Sequence, residues 1–470
     1  MNTLQGAFDS LRQFEKRHSL FEMEIEGIKF WEYIRPHIYN EIKSSGTKDR
    51  LFPKKKKTTK IMELMKNVVI NNPIAASESD YLFIGHPRRK LQKNGYWWDI
   101  YSDTIINQME VNYIYAERPY YDTHKQPAET DQIYYLDLYD YTLSGLFRQL
   151  ETFHHSLSGD NEEKIIHVQR KLSLKFNIKL DLKKMVEKFI NYYKVKKRVY
   201  RWWFRRINPN IIVIVVNSGN RIRIKAAKEE NIPVVELQHG VVHKRHVAYN
   251  YPSNTTIESF PDYFLCYGEF WKQLVDLPIP DSRVIPIGYP HMDRQLRKYK
   301  NKNNKDQILF ISQGGRIGRK LSKLAVKLRN KGNISFEIVY KLHPGEYDGW
   351  RKRYPWLAEA DIEVVDSSVP QLYKLFSESN IQIGIGSTAV YEGLAFDLNT
   401  FVYNTPESDI LNPLVENGDA ALFSSVDELI SLIGSSNSGS NTSCYYFSPN
   451  SVCRMAKTLK ELSNNGTLYK

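Results

Sequence analysis

The stretch NIIVIVVNSGNRIRIKAAKEENIPVVELQHG, residues 210–240, holds two apolar runs separated by the charged segment GNRIRIKAAKEEN. The first run, NIIVIVVNS (210–218), is apolar at consecutive rather than alternate positions, which predicts a strand buried on both faces. The charged segment has helical composition, and PVVELQ (233–238) returns to the strand pattern. Strand, helix and strand in that order predict a parallel sheet covered by helices on both sides. The second run stops abruptly on His239 and Gly240.

The same alternation extends outward. Upstream, DYLFIGH (80–86), VNYIYAE (111–117) and QIYYLDL (132–138) read as strands, with the helix-compatible WWDIYSDTIINQM between the first two. A charged helical section follows from about 142 to 206 and ends in RVYRWWFRR. Downstream, RQLRKYKNKNNKDQ (294–307) has the polar density of a linker. Strand patterns then restart with QILFISQ, SFEIVYKLHP, IEVVD, IQIGIGS and NTFVYN, before the helical VDELISLI.

These patterns predict an α/β chain of two Rossmann-like, doubly wound domains facing a cleft, which is the GT-B arrangement. Residues 76–293 form the first domain, with its helical insertion, 294–307 the linker and 308–445 the second domain. Residues 446–470 read as a terminal helix able to pack back on the first domain. Residues 1–75 form an amino-terminal segment, helical to about 46 with apolar positions such as Leu11, Phe14, Phe30 and Ile34. It includes the basic run Lys54–Lys57 beside Leu51 and Phe52, read as a solvated linker or as a contact with anionic lipid.

At 470 residues the chain is too long for one core, and 41% hydrophobic residues exclude disorder throughout. A formal charge of +13 points to an acidic partner: nucleic acid, anionic lipid or phosphorylated small molecules. Cys266, Cys444 and Cys453 offer neither a disulfide framework nor a zinc pattern, which suits a reducing cytoplasm. No window has the length of apolar sequence that a membrane span requires, so the expectation is a cytoplasmic protein, at most peripheral on a membrane.

In open parallel sheets ligands bind beyond the carboxyl ends of the strands. Five apolar strands here end in small, polar or imidazole groups. They end in Asn217-Ser218-Gly219-Asn220, in His239-Gly240, in Gln313-Gly314-Gly315-Arg316, in His343-Pro344-Gly345-Glu346, and in Ser387-Thr388 after Gly384 and Gly386. Glycines allow close approach, Ser387 or Thr388 can cap the next helix, and its free N–H groups suit a phosphate. Glu392, one turn further on, can bond a ribose hydroxyl. Pro344 restricts His343 to extended geometry beside Lys341, aiming the imidazole.

His239 can move a proton at cellular pH. Glu236 is an alternative base, but in a strand it points to the same face as Gln238 and opposite to His239, and His239 is preferred. His243, Lys244, Arg245 and His246 surround an acidic acceptor or form a solvated loop. Gln238, Asn217 and Ser218 are further acceptor-side candidates. The P-loop, the G-x-G-x-x-G fingerprint, H-E-x-x-H and a D-x-D metal signature are all absent, so neither metal nor cofactor is expected.

The ordered trio ELQHG, KLHPGE and IGSTAVYEGLAF resembles the GT-B glycosyltransferases of bacterial capsule and surface-polysaccharide assembly, including Kdo-transferase-like and polysialyltransferase-like proteins. LFEMEIEGIKFWEYIRPHIYNEI and GYWWDIYSDTII also resemble their amino-terminal parts. The resemblance implies a nucleotide-activated sugar as donor and a glycan or glycolipid as acceptor. It maps His343 and the Ser387-Thr388 pair onto residues that hold the cytidine monophosphate of a CMP-activated ulosonic acid. Where polysialyltransferase-like proteins carry an acidic motif ending in glycine, this chain has Gln238-His239-Gly240, closer to the glycerophosphotransferases. Transfer from a CDP-activated glycerol or ribitol phosphate, or from a UDP- or GDP-sugar, therefore stays open. From another class, the Tyr200-Arg201-Trp202-Trp203 cluster suits single-stranded nucleic acid, but basic residues dispersed over both halves argue for no nucleic-acid partner.

Overall fold

The computed structural model describes residues 4–45, 66–120, 123–142, 156–299, 305–331, 334–435 and 443–467. The strands up to residue 290 are β1 (Tyr81–Ile84), β2 (Lys90–Leu91), β3 (Trp97–Trp98), β4 (Tyr113–Glu117), β5 (Ile133–Tyr135), β6 (Ile211–Val215), β7 (Val234–Leu237), β8 (Tyr263–Cys266) and β9 (Val284–Pro286). Apart from the small β2–β3 hairpin they form one parallel sheet in the order β5-β4-β1-β6-β7-β8-β9. The second sheet is built from β10 (Gln307–Ile311), β11 (Glu337–Lys341), β12 (Glu363–Val365), β13 (Ile381–Gly384), β14 (Asn399–Tyr403) and β15 (Ala421–Phe423), in the order β12-β11-β10-β13-β14-β15. The two sheets repeat one winding order, and together the domains are the GT-B arrangement.

The consecutive apolar positions of β1 and β6 divide between two cores. Leu82, Ile84, Ile212 and Ile214 pack with Trp203, Phe204 and Ile207 of helix Leu182–Ile207. Tyr81, Phe83, Val213 and Val215 pack with Met109 of helix Asp103–Met109 and with Met455 and Leu459 of helix Ser451–Thr467. Alternate side chains of a strand point to opposite faces, so both faces must be apolar when both are covered. Truncating any of these isoleucines to alanine is expected to cost about 2–5 kcal/mol.

The terminal helix thus closes the chain back onto the first domain. Asp293 accepts hydrogen bonds from the backbone and hydroxyl of Ser451 at 2.7 and 2.5 Å. The amino-terminal helices are joined to the same domain through buried charge. Arg35 pairs with Glu15 at 2.6 Å and donates to the carbonyls of Val247 and Asn250 at 2.6 and 2.8 Å. Glu32 accepts from the backbone of Glu258 and Ser259 at 3.1 and 3.0 Å. The residues that follow His239 are therefore held from outside their own sheet.

Residues 294–299 differ from the linker reading. They continue helix Pro290–Tyr299, because Met292, Gln295 and Tyr299 recur at helical spacing and are buried, overriding the polar composition. Residues 300–304 and the basic run Lys54–Lys57 lie outside the described residues. The helical insertion consists, as described, of Gly159–Phe176 and Leu182–Ile207.

Candidate functional site

Strand order reverses between β1 and β6 in the first sheet and between β10 and β13 in the second. The loops after these strands flank the crevices where doubly wound sheets take ligands. The first domain meets the second through the loop after β7: a Cβ built on Gly240 would lie 3.9 Å from the methyl of Thr388, which follows β13, and Arg245 pairs with Asp409, which follows β14, at 2.9 Å.

On the second domain's wall, His343 has φ −66° and ψ 143°, and its Nδ1 accepts the Gly345 N–H at 3.1 Å. Pro344 starts the short 3₁₀ turn Pro344–Glu346 behind it. Burial lowers the His343 pKa, which keeps the ring neutral at pH 7. A neutral imidazole that accepts at Nδ1 carries its hydrogen on Nε2. Ser387 caps helix Thr388–Leu394 by accepting from Ala389 N–H at 3.3 Å. Gly386 admits the Glu407 carbonyl, which would come within 2.7 Å of a Cβ there. Gly314 and Gly315 both have positive φ, +82° and +59°, a turn that glycine adopts without strain.

Three residues assigned to the donor are occupied within the protein instead. Glu346 is buried and accepts from His343 N–H at 3.0 Å, Ser312 Oγ at 2.6 Å and the Tyr354 hydroxyl. It holds the His343 corner to the loop after β10, and Gly318 is glycine because a Cβ would meet its carboxylate at 2.5 Å. Lys341 turns toward the β12 side, donating to Tyr347 Oη at 2.8 Å and to the Ser367 carbonyl. Burial lowers its amine to about 8. Arg316 pairs with Glu407 at 2.6 Å at the rim. Glu392 faces the first domain with its carboxylate already engaged: it accepts from Tyr373 Oη at 2.5 Å, burial raises its pKa, and the Tyr373 bond and Lys90 of the first domain act against that rise.

On the first domain's wall the structure separates Glu236 from His239. The Glu236 carboxylate is fully buried and takes hydrogen bonds from Asn217 N at 2.9 Å, Asn217 Nδ2 at 2.8 Å and Tyr249 Oη at 2.6 Å. Burial raises it to about 7, and its partners tie the β6 loop to β7. Asn217 gives its backbone and side-chain N–H groups to these bonds and its Oδ1 is buried without a partner among the described residues, which leaves exposed Ser218 as the accessible group of that pair. Gln238 is also internal, donating to the Gly240 carbonyl and accepting from Tyr267 N–H, both at 2.8 Å. These side chains shape the turn rather than line it.

His239 stays partly exposed, and its Nδ1 is buried with no hydrogen-bond partner among the described residues. Tyr101 Oη fixes its carbonyl at 2.8 Å. Burial, then His86 and Arg88, lower its pKa to about 4, so the ring is neutral at cellular pH. His243 and His246 sit at the rim with Nδ1 accepting from Arg245 and Ala248 N–H at 3.3 and 3.2 Å.

His86 is the group the motif reading missed. Its ring stacks on that of His239 at 6.3 Å, and its Nδ1 accepts Arg88 N–H at 3.0 Å. The signal was present in IGHPRRK, a second strand ending in His-Pro. Gly85 before it is required by crowding, since a Cβ would lie 1.7 Å from Tyr115 Oη.

Among the described residues no three His, Cys, Asp or Glu side chains are grouped to hold a metal, and no helix is long and apolar enough to cross a membrane. No protein-family model matches this chain, and no curated protein matches it. Similar solved structures include UDP-GlcNAc 2-epimerase from Methanocaldococcus jannaschii, at 10% identity and a TM-score of 0.47, covering 81% of this chain and 99% of that one. The UDP-GlcNAc 2-epimerase of Neisseria meningitidis aligns at 14% identity and a TM-score of 0.47, again covering 81% and 99%. MurG of Acinetobacter baumannii aligns at 10% identity and 0.47, with the same coverage.

Proposed function

We propose that this chain is a glycosyltransferase that moves a sugar from a nucleotide donor, a CMP-activated ulosonic acid, to a bacterial surface glycan, without a metal. The observation that supports it most is the pair of neutral imidazoles on opposite walls of one cleft. The His343 ring is oriented by its Nδ1 bond to the Gly345 N–H, and the Nδ1 of partly exposed His239 is buried without a partner among the described residues, so Nε2 is the nitrogen His239 can turn to an acceptor.

In the transfer, the acceptor hydroxyl oxygen bonds to the anomeric carbon as that carbon's bond to the donor phosphate breaks. His239 takes the hydroxyl proton, and the electron pair leaves with the nucleotide phosphate. A preorganised hydrogen-bond donor stabilises that developing charge in a low-dielectric site, and His343 Nε2 with Ser387 and Thr388 supplies it. Glu392 is assigned to the ribose. Glu346 and Gln238 are positioning residues. If the acceptor is lipid-linked, the Lys54–Lys57 run brings the enzyme to an anionic surface.

Against the nucleic-acid reading, Tyr200 and Trp203 are buried in the core, and Arg201 is paired with Glu229 and Glu230 at 3.2 and 2.5 Å. Of the three rings in that cluster only Trp202 is exposed, which leaves one ring rather than a row of them for bases to stack on. The test is incubation with CMP-, CDP-, UDP- and GDP-activated donors, read by nucleotide release with and without EDTA. Release from a CMP-ulosonate, unchanged by EDTA, is the expected result. Release from a CDP-alditol alone would transfer the reading to the phosphotransferases, and no release with salt-dependent binding of single strands would end it.

A further inference from the structure

We propose that Arg88, presented by the His86-Pro87-Arg88 corner where the first sheet reverses, binds the carboxylate of the activated sugar. The inference rests on the CMP-ulosonate reading above and adds to it the residue that selects an acidic sugar.

Two consecutive arginines follow Pro87, and the structure uses them differently. Arg89 is buried and spent on the scaffold: Nε donates to Glu117 at 2.8 Å, and Nη1 reaches Thr130 at 3.2 Å and Asp103 at 3.4 Å. Arg88 is exposed and has no carboxylate partner among the described residues. Its guanidinium lies 5.9 Å from the Tyr120 ring centre. Its backbone N–H is fixed to His86, whose ring stacks on His239. Burial first, and then the charge of Arg88 among others, lowers the pKa of His239 on its own wall and of His343 on the opposite one. The carboxylates nearby do not compete for it. Asp99 is buried and accepts from Tyr115 Oη at 2.7 Å and Tyr101 N at 3.0 Å, and Glu392 is held by Tyr373.

The chemistry of the donor suits such a cation. In a ulosonic acid the carboxylate and the phosphoester oxygen are attached to the same anomeric carbon. The donor therefore presents two anionic groups side by side, and each is held by its own cation or hydrogen-bond donors. His343 with Ser387 and Thr388 serves the phosphate on one wall. Arg88 serves the carboxylate on the other, where a planar guanidinium can form two parallel hydrogen bonds.

The experiment measures binding of CMP, of a CMP-ulosonate and of its carboxyl methyl ester to the full chain and to Arg88→Ala and Arg88→Lys, by calorimetry. For the unaltered protein the acid is expected to bind about ten- to a hundredfold more tightly than the ester, the range for a charged hydrogen bond. Arg88→Ala should reduce that ratio to about threefold or less, with CMP affinity within about twofold, and Arg88→Lys should restore part of it. A ratio unchanged in Arg88→Ala overturns the proposal. So does an equal loss for CMP and donor, which would assign Arg88 to phosphate. If Arg88→Ala does not fold, the lysine variant and the ester still decide. Should the unaltered protein fail to bind the CMP-ulosonate yet release nucleotide from a neutral sugar donor, the donor assignment itself has failed, an outcome distinct from an unchanged ratio.

Discussion

Replacing Glu346 separates a residue that touches the donor from one that only aims His343. Glu346→Ala removes the acceptor for three buried donors: the His343 N–H and the hydroxyls of Ser312 and Tyr354. A buried donor left without an acceptor costs about 1–3 kcal/mol; the N–H cannot turn elsewhere and counts in full, whereas the hydroxyls rotate and count in part, giving about 3–5 kcal/mol. At about 2–4 °C per kcal/mol for a domain of this size, calorimetry should find the melting temperature lower by roughly 6–20 °C. The His343 corner is also released, so nucleotide affinity should fall by about ten- to a hundredfold, as if the imidazole had been removed.

Glu346→Gln has the same shape. Its amide oxygen can occupy the position that accepts from His343 and Ser312, and the Tyr354 hydroxyl can turn to accept from the amide N–H. The exchange of charged for neutral hydrogen bonds costs about 1 kcal/mol, and nucleotide affinity should stay within about threefold. Titration of CMP into both variants, at a temperature where both are folded, is the assay. Loss of nucleotide binding in Glu346→Gln equal to that in Glu346→Ala, with the melting temperature of the unaltered protein, would refute the positioning role and put the carboxylate on the donor.

His343→Ala should weaken CMP and the complete donor together by about ten- to a hundredfold, and unchanged CMP affinity would remove His343 from the site. Ser387→Ala combined with Thr388→Ala should act in the same direction in the same titration. Because His239 is neutral above a pKa of about 4, the acid limb of the kcat/KM profile should fall near that value rather than near the ordinary 6.5, and His239→Ala should abolish transfer while sparing CMP binding. Acid should also destabilise the fold. His239, His243 and His246 are lowered to about 4, 4 and 3, so below the unfolded value near 6.5 the unfolded chain binds more protons. Stability is full above that value and is lost as pH falls through it, by about 1.4 kcal/mol per pH unit for each histidine. Urea midpoints between pH 7 and 5 measure this, and substituting His246 by phenylalanine should make the slope shallower.

What the sequence made legible was period and punctuation. Consecutive apolar residues in 211–215 can only be buried on two faces, and the two cores beside β6 are that prediction in side chains. The strand-end positions of His239, His343 and Ser387 were readable for the same reason, since a parallel sheet delivers its strand ends to one edge. Strand order was not readable, because it depends on which strand the chain returns to after β5, and nothing local encodes that. His86 was passed over on this account: only the order β4-β1-β6 puts its corner at the reversal. Direction within a loop was equally hidden. Glu346, Gln238, Asn217 and Lys341 stand beside ligand-facing groups in sequence, yet their partners are backbone and side chains from other strands. A polar residue at a strand end either meets a ligand or builds the turn that presents one, and composition is the same in both cases.

The histidines themselves show how one local device divides those roles. At His86, His243, His246 and His343, Nδ1 accepts the backbone N–H two residues on, at 3.0, 3.3, 3.2 and 3.1 Å. Each such bond selects the tautomer with hydrogen on Nε2, so a neutral ring held this way is a hydrogen-bond donor at its outer nitrogen and cannot accept a proton there. His239 departs from this pattern. Its following residues are Gly240 and Val241, its Nδ1 has no partner among the described residues, and its tautomer is not fixed by the chain. A base must be able to present a bare nitrogen, and a phosphate group must meet a hydrogen. A proline is not required for that bond, since Lys244 and Val247 follow His243 and His246; at His343, as at His86, a proline begins the turn that brings the N–H back to the ring, whereas after His239 no such turn reaches Nδ1. A Gly240→Pro exchange, which copies the His-Pro corners of His86 and His343, should impose the donor tautomer on His239 and silence transfer while leaving CMP binding intact. Retained transfer in a folded Gly240→Pro protein would show that tautomer selection is not what sets His239 apart.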